Sequence, residues 1–129
     1  MRRRMLCLFA GIVAVTPCIA ETPDKDQRTR ALALQKLAIE AKELIRCTAI
    51  VSVEDLSGFE PIMKAYNKKT DELARAIEDF VARFASQRAK HETVLGFKYR
   101  VWDMTLQAGA ENARPSSALN REICGALSR

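Results

Sequence analysis

The sequence is poor in the residues that usually carry chemistry. It holds one histidine, one tryptophan and four cysteines in 129 positions. With His91 the only imidazole, no histidine-based zinc site and no histidine acid–base pair can be assembled, and Glu92 beside it is a poor partner. No Cys-x-x-Cys or Cys-x-x-Cys-His occurs, which removes support for thiol redox chemistry and for c-type haem. The five glycines form no phosphate-cradling cluster, and no serine stands in a Gly-x-Ser-x-Gly setting. Glu-x-x-His, the mark of a carboxylate-bridged metal bundle, is also absent. The carboxylate pairs Glu40/Glu43, Asp71/Glu72 and Glu78/Asp79 stand among lysines and arginines at helical spacing, so they read as a solvated, ion-paired face. The expectation is a protein that is not an enzyme, with no catalytic, cofactor-binding or metal-binding residues.

Charge of one sign is lacking too. Arg2, Arg3 and Arg4 open the chain, and beyond them 18 Lys and Arg face 16 Asp and Glu, with no basic run longer than Lys68-Lys69. That near-balance gives no electrostatic footprint for nucleic acid. The apolar stretch at residues 5–15 is well short of the roughly 20 residues needed to span a bilayer.

What the N-terminus does contain is a tripartite pattern. Three arginines precede the apolar stretch, Pro17 breaks it, and Cys18-Ile19-Ala20 ends in small residues before a polar segment. This is the pattern that a signal peptidase reads. Residues 1–20 are therefore expected to be a cleavable secretory signal, leaving residues 21–129 as one helical domain in the periplasm or outside the cell. Lipidation of Cys18 is the competing outcome, but Pro17 occupies the position where a small residue is expected. Cleavage leaves two cysteines, Cys47 and Cys124, and in an oxidising compartment the pair is expected to form a disulfide.

The rest of the chain has helical periodicity and no β alternation. Leu34, Leu37, Ala41, Leu44, Thr48 and Val51 recur at spacings of three and four, with Lys36, Lys42, Glu43 and Arg46 on the other side. Leu32 and Ile39, seven apart on that polar side, are candidates for a partner-binding surface. A break at residues 52–58 precedes a second helix, with capping-box spacing at Ser57 and Glu60 and with Pro61 in the first turn. Its stripe includes Leu73, Ile77, Phe80, Val81 and Phe84, and the same phase continues through Leu95, Tyr99, Trp102 and Leu106. One helix over all of this would be nearly 70 Å long at 1.5 Å per residue. Two helices with a bend near Gly96 are therefore expected, with Phe80, Phe84 and Trp102 in the core.

Val94, Phe97, Val101 and Met104 give the third helix a second apolar face, which marks it as the expected central helix. A loop is expected at residues 108–115, then a short helix capped by Ser116 or Ser117. The expected architecture is an all-α bundle of three to four helices, first and last linked by Cys47–Cys124. The function expected of it is non-enzymatic binding of another envelope or secreted protein, as an inhibitor or immunity protein does. A holdase chaperone of envelope stress is one alternative. The other is a small-ligand carrier with a pocket between Tyr99, Trp102 and the first helix.

Overall fold

The computed structural model describes residues 25–51 and 56–129; the candidate signal at residues 1–20 lies outside them. Four helices follow in order: α1 (Lys25–Val51), α2 (Leu56–Phe84), α3 (Val94–Asn112) and α4 (Arg121–Leu127). Short 3-10 turns at Ala85–Gln87 and Ser116–Ala118 punctuate the connections, and no strand occurs among the described residues. The protein is an all-α bundle, and a disulfide between Cys47 and Cys124 ties its first helix to its last.

α1 has no proline or glycine in 27 residues, and its three–four spacing buries Leu34, Ala38, Ala41, Leu44, Cys47 and Val51. It packs against α2, α3 and α4 alike and is the central helix, a place the sequence pattern assigned to the third. The reason lies partly in side-chain size. A Cβ placed on Gly109 of α3 would stand 2.7 Å from the Ala38 Cβ and 2.9 Å from the Ala38 carbonyl carbon and oxygen. The two backbones are thus nearly in contact at this crossing, which only glycine permits. Gly109 is a packing glycine, so the loop expected from residue 108 does not form and α3 continues to Asn112.

Buried apolar side chains gather in two clusters along the bundle. One joins Leu34 and Ala38 of α1 to Leu73, Ile77, Phe80, Val81 and Phe84 of α2, and to Phe97 and Val101 of α3. Phe80 and Phe84 meet with ring centroids 4.8 Å apart, tilted, a favoured aromatic geometry. The other surrounds the disulfide: Leu44, Val51, Ile62 and Leu119 enclose Cys47 and Cys124, neither of which has any exposed surface. Each fully buried aliphatic side chain here contributes about 1.5–3 kcal/mol.

The element boundaries differ from the expected ones at three points. α2 begins at Leu56, so Pro61 lies inside it instead of in the first turn. α2 ends at Phe84 and α3 starts at Val94, so the break occupies residues 85–93 and Gly96 lies in the first turn of α3. Thr93 caps α3, its Oγ1 accepting from the Gly96 amide at 2.9 Å. The cap of α4 is Asn120, whose Oδ1 accepts from the Ile123 amide at 2.8 Å, while Ser116 and Ser117 sit in the preceding 3-10 turn.

Candidate binding surfaces

α3 carries two apolar stripes and covers only one. Phe97, Val101, Thr105 and Gly109, spaced by four, are buried against the rest of the bundle. About 100° round the helix, at 100° per residue, runs Leu95, Tyr99, Trp102 and Leu106. Leu95 is 55% exposed, Tyr99 64% and Leu106 53%, and Trp102 is half-buried, packed on the first core cluster. The phase that buries Ile77 and Phe84 in α2 therefore does not predict burial in α3, because the turn at residues 85–93 rotates the chain between them. Val94 and Met104, expected on a covered second face, are exposed as well. Among the described residues the only exposed large apolar side chain outside α3 is Leu32.

Leu32 and Ile39 are not equivalent. Leu32 is open to solvent, whereas Ile39 is half-buried. Continuing that line by seven residues reaches Arg46, whose Nη1 donates to the Ala113 and Arg114 carbonyls at 3.3 and 2.6 Å. The segment joining α3 to α4 therefore lies over the far end of this face. Glu43 is buried there too: its Oε2 accepts from the Arg114 backbone amide at 2.9 Å and from Arg114 Nε at 3.2 Å. The sequence pattern placed Glu43 and Arg46 on the solvated side. Nothing in residues 113–114 signals that they return across α1, so no local pattern reveals this anchor.

The connection between α2 and α3 is also built from side chains. Arg88 donates through Nε to the Glu92 carbonyl and through Nη1 to the Ala85 carbonyl, both at 3.0 Å. The Glu92 carboxylate accepts from Arg100 Nε and Nη2 at 2.9 and 2.8 Å and from the Ala89 amide at 3.1 Å. The Arg100 hydrogen bonds, with the Ala89 amide and the charges of Arg100 and Arg88, outweigh desolvation and lower the Glu92 pKa from 4.5 to about 2. The same bonds from Glu92 raise the Arg100 pKa further. His91 is exposed in this turn.

Salt bridges knit the helices at their edges. Lys69 of α2 meets Glu40 of α1 at 3.1 Å and Glu72 at 3.5 Å. Partial burial opposes the Lys69 charge, but its hydrogen bonds to and attraction by Glu40 and Glu72 prevail and raise its pKa. Lys98 of α3 pairs with Glu78 of α2.

A cleft of about 330 Å³ opens between the N-terminal half of α1 and α3. Its lining is mainly apolar, from Ala31, Leu34, Phe80, Phe97, Val101 and Met104. Gln27, Arg28, Gln35, Arg100 and Thr105 supply the polar atoms. Neither Tyr99 nor Trp102, beside which a ligand pocket is expected from the sequence, lines this cleft. No helix among the described residues is long and apolar enough to cross a membrane. No family model matches the chain, and neither does any curated protein or solved structure.

Proposed function

We propose that this is an exported, non-enzymatic protein-binding module, and that the outer stripe of α3 is its principal docking face. The observation that carries the reading is the exposure of Leu95, Tyr99 and Leu106 along one line of a well-formed helix. Apolar side chains aligned at spacings of four, three and four form the anchor pattern of a helix that packs on a partner. Tyrosine and tryptophan are enriched among the residues that dominate interface energies. Trp102, half-buried at the base of the stripe, would fix its position. Export rests on the tripartite N-terminus and fits the disulfide of Cys47 and Cys124. Leu32, exposed on α1, offers a partner a further apolar side chain, whereas Ile39, half-buried, contributes little.

A photo-crosslinking residue at position 99, expressed with the chain in its native compartment, tests the proposal. A single discrete adduct from position 99, lost in the Leu95→Gln/Leu106→Gln background and absent from exposed position 64, supports a specific partner. A ladder of many adducts would favour a holdase, and equal labelling at positions 99 and 64 would remove the stripe from consideration.

A further inference from the structure

We propose that the cleft between α1 and α3, a site separate from the outer stripe, binds a small neutral amide with a single apolar tail. Every residue of α1 and α3 that lines the cleft precedes Ala38 or Gly109, the pair at which the two backbones nearly touch. The helices therefore part from that crossing towards their N-termini, and the cleft fills the gap between them. Two uncharged polar side chains stand at the crossing end. Thr105 lies one turn before Gly109 and is 8% exposed; Gln35 lies one turn before Ala38 and is half-buried. Neither side chain has a hydrogen-bond partner among the described residues. Buried hydroxyls ordinarily find a partner, and for Thr105 the cleft is where a ligand can supply one.

An amide head suits both groups. Its carbonyl accepts from the Thr105 hydroxyl, and it can exchange a donor and an acceptor with the side-chain amide of Gln35. A charged head would be buried there without a free counter-ion, the costlier burial. Arg100 is ion-paired with Glu92 and Arg28 has a partner of its own, so neither is spare for an anion. Both also stand more than two turns from the crossing, at the other end of the cleft. Between the two ends, Ala31, Leu34, Phe97, Val101 and Met104 take the tail. The volume of about 330 Å³ lies at the lower end of ligand sites in general. At the ~30 Å³ that one water occupies in the liquid, it holds roughly eleven non-hydrogen atoms, which an amide of about eight carbons fills.

Calorimetric titration of the purified, disulfide-bonded protein with octanamide tests this. Octanoate, nearly identical in shape, supplies the charged comparison. Saturable one-to-one octanamide binding is expected, at least tenfold tighter than octanoate, a difference of about 1.4 kcal/mol. Thr105→Val keeps the side-chain shape and removes the hydroxyl. It should weaken octanamide severalfold and leave the melting temperature of the free protein unchanged or higher. Ala31→Trp, at an exposed position on the cleft, should weaken binding tenfold or more. In the unaltered protein, octanamide should shift the amide resonances of Ala31, Gln35, Val101 and Thr105. The proposal is overturned by no saturable binding, by octanoate binding as tight as octanamide, or by undiminished binding to Thr105→Val. A lower melting temperature of free Thr105→Val, or resonance shifts confined to Leu95, Tyr99 and Leu106, would overturn it equally.

Discussion

The inner and outer faces of α3 are built from similar residues and meet opposite fates. Phe97 and Val101 are 5% and 8% exposed, while Tyr99 and Leu106 on the other side of the same helix are 64% and 53% exposed. What separates them is the neighbour. Gly109 lets the α1 backbone approach the inner face, and Phe80 and Val81 of α2 complete the cluster around it. Among the described residues no helix covers the outer face. Apolarity alone therefore does not determine burial in a helix with two stripes; the residue that permits closest approach does.

The largest effect expected lies at the far end of the bundle. Cys124→Ser opens a loop of 77 residues, for which the chain-entropy relation gives about 4–5 kcal/mol as an upper figure. Denaturant unfolding with and without reductant measures it. The variant should lower stability without altering the contrast between the two faces of α3, since the disulfide belongs to the other cluster. Next comes Phe97→Ala, expected to lose about 3–5 kcal/mol on the same assay. Trp102→Ala should lose less, because Trp102 is only half-buried. A loss as large as that of Phe97 would mean that the outer stripe shares the core.

Gly109→Ala sharpens the argument about approach. The added methyl meets α1 backbone atoms at 2.9 Å, and overpacking of this kind is destabilising by about 1–3 kcal/mol even though alanine favours helix. A stabilised Gly109→Ala variant in thermal unfolding would show that the helices separate freely there.

Smaller still is the acid response of the α2–α3 connection. The Glu92 pKa is depressed, so its contribution is complete above about pH 4.5 and is lost as the pH falls toward about 2. Glu92→Gln should remove the part of the stability decline that falls in that window, measured by denaturant unfolding at pH 6, 4 and 2.5. An unchanged acid profile would place the acid sensitivity elsewhere.

Much of the fold was legible in the sequence. The α1 stripe, the helical class, the disulfide and the core positions of Phe80 and Phe84 follow from periodicity and from the cysteine count. The turn at residues 85–93 was legible only as a bend near Gly96, since it contains neither proline nor glycine and is held by the side chains of Arg88, Glu92 and Arg100. Misplacing that turn carried the α2 phase into α3 and put Leu95, Tyr99 and Leu106 inside. The anchor of Glu43 and Arg46 escaped for a related reason: their partners lie about 70 residues away, beyond the reach of any local pattern. The cleft depends on the same long-range packing, so only its adjacency to the third helix and the first was foreseeable.

The most direct test of the account is the unfolding free energy of the Leu95→Gln/Tyr99→Gln/Leu106→Gln variant, measured beside the parent. Glutamine keeps the helix propensity and removes only the apolar surface. If the outer stripe of α3 is a face left open for a partner, stability should stay within about 1 kcal/mol of the parent. A loss beyond about 3 kcal/mol would show that the stripe supports the fold, and the proposed docking face would fall with it.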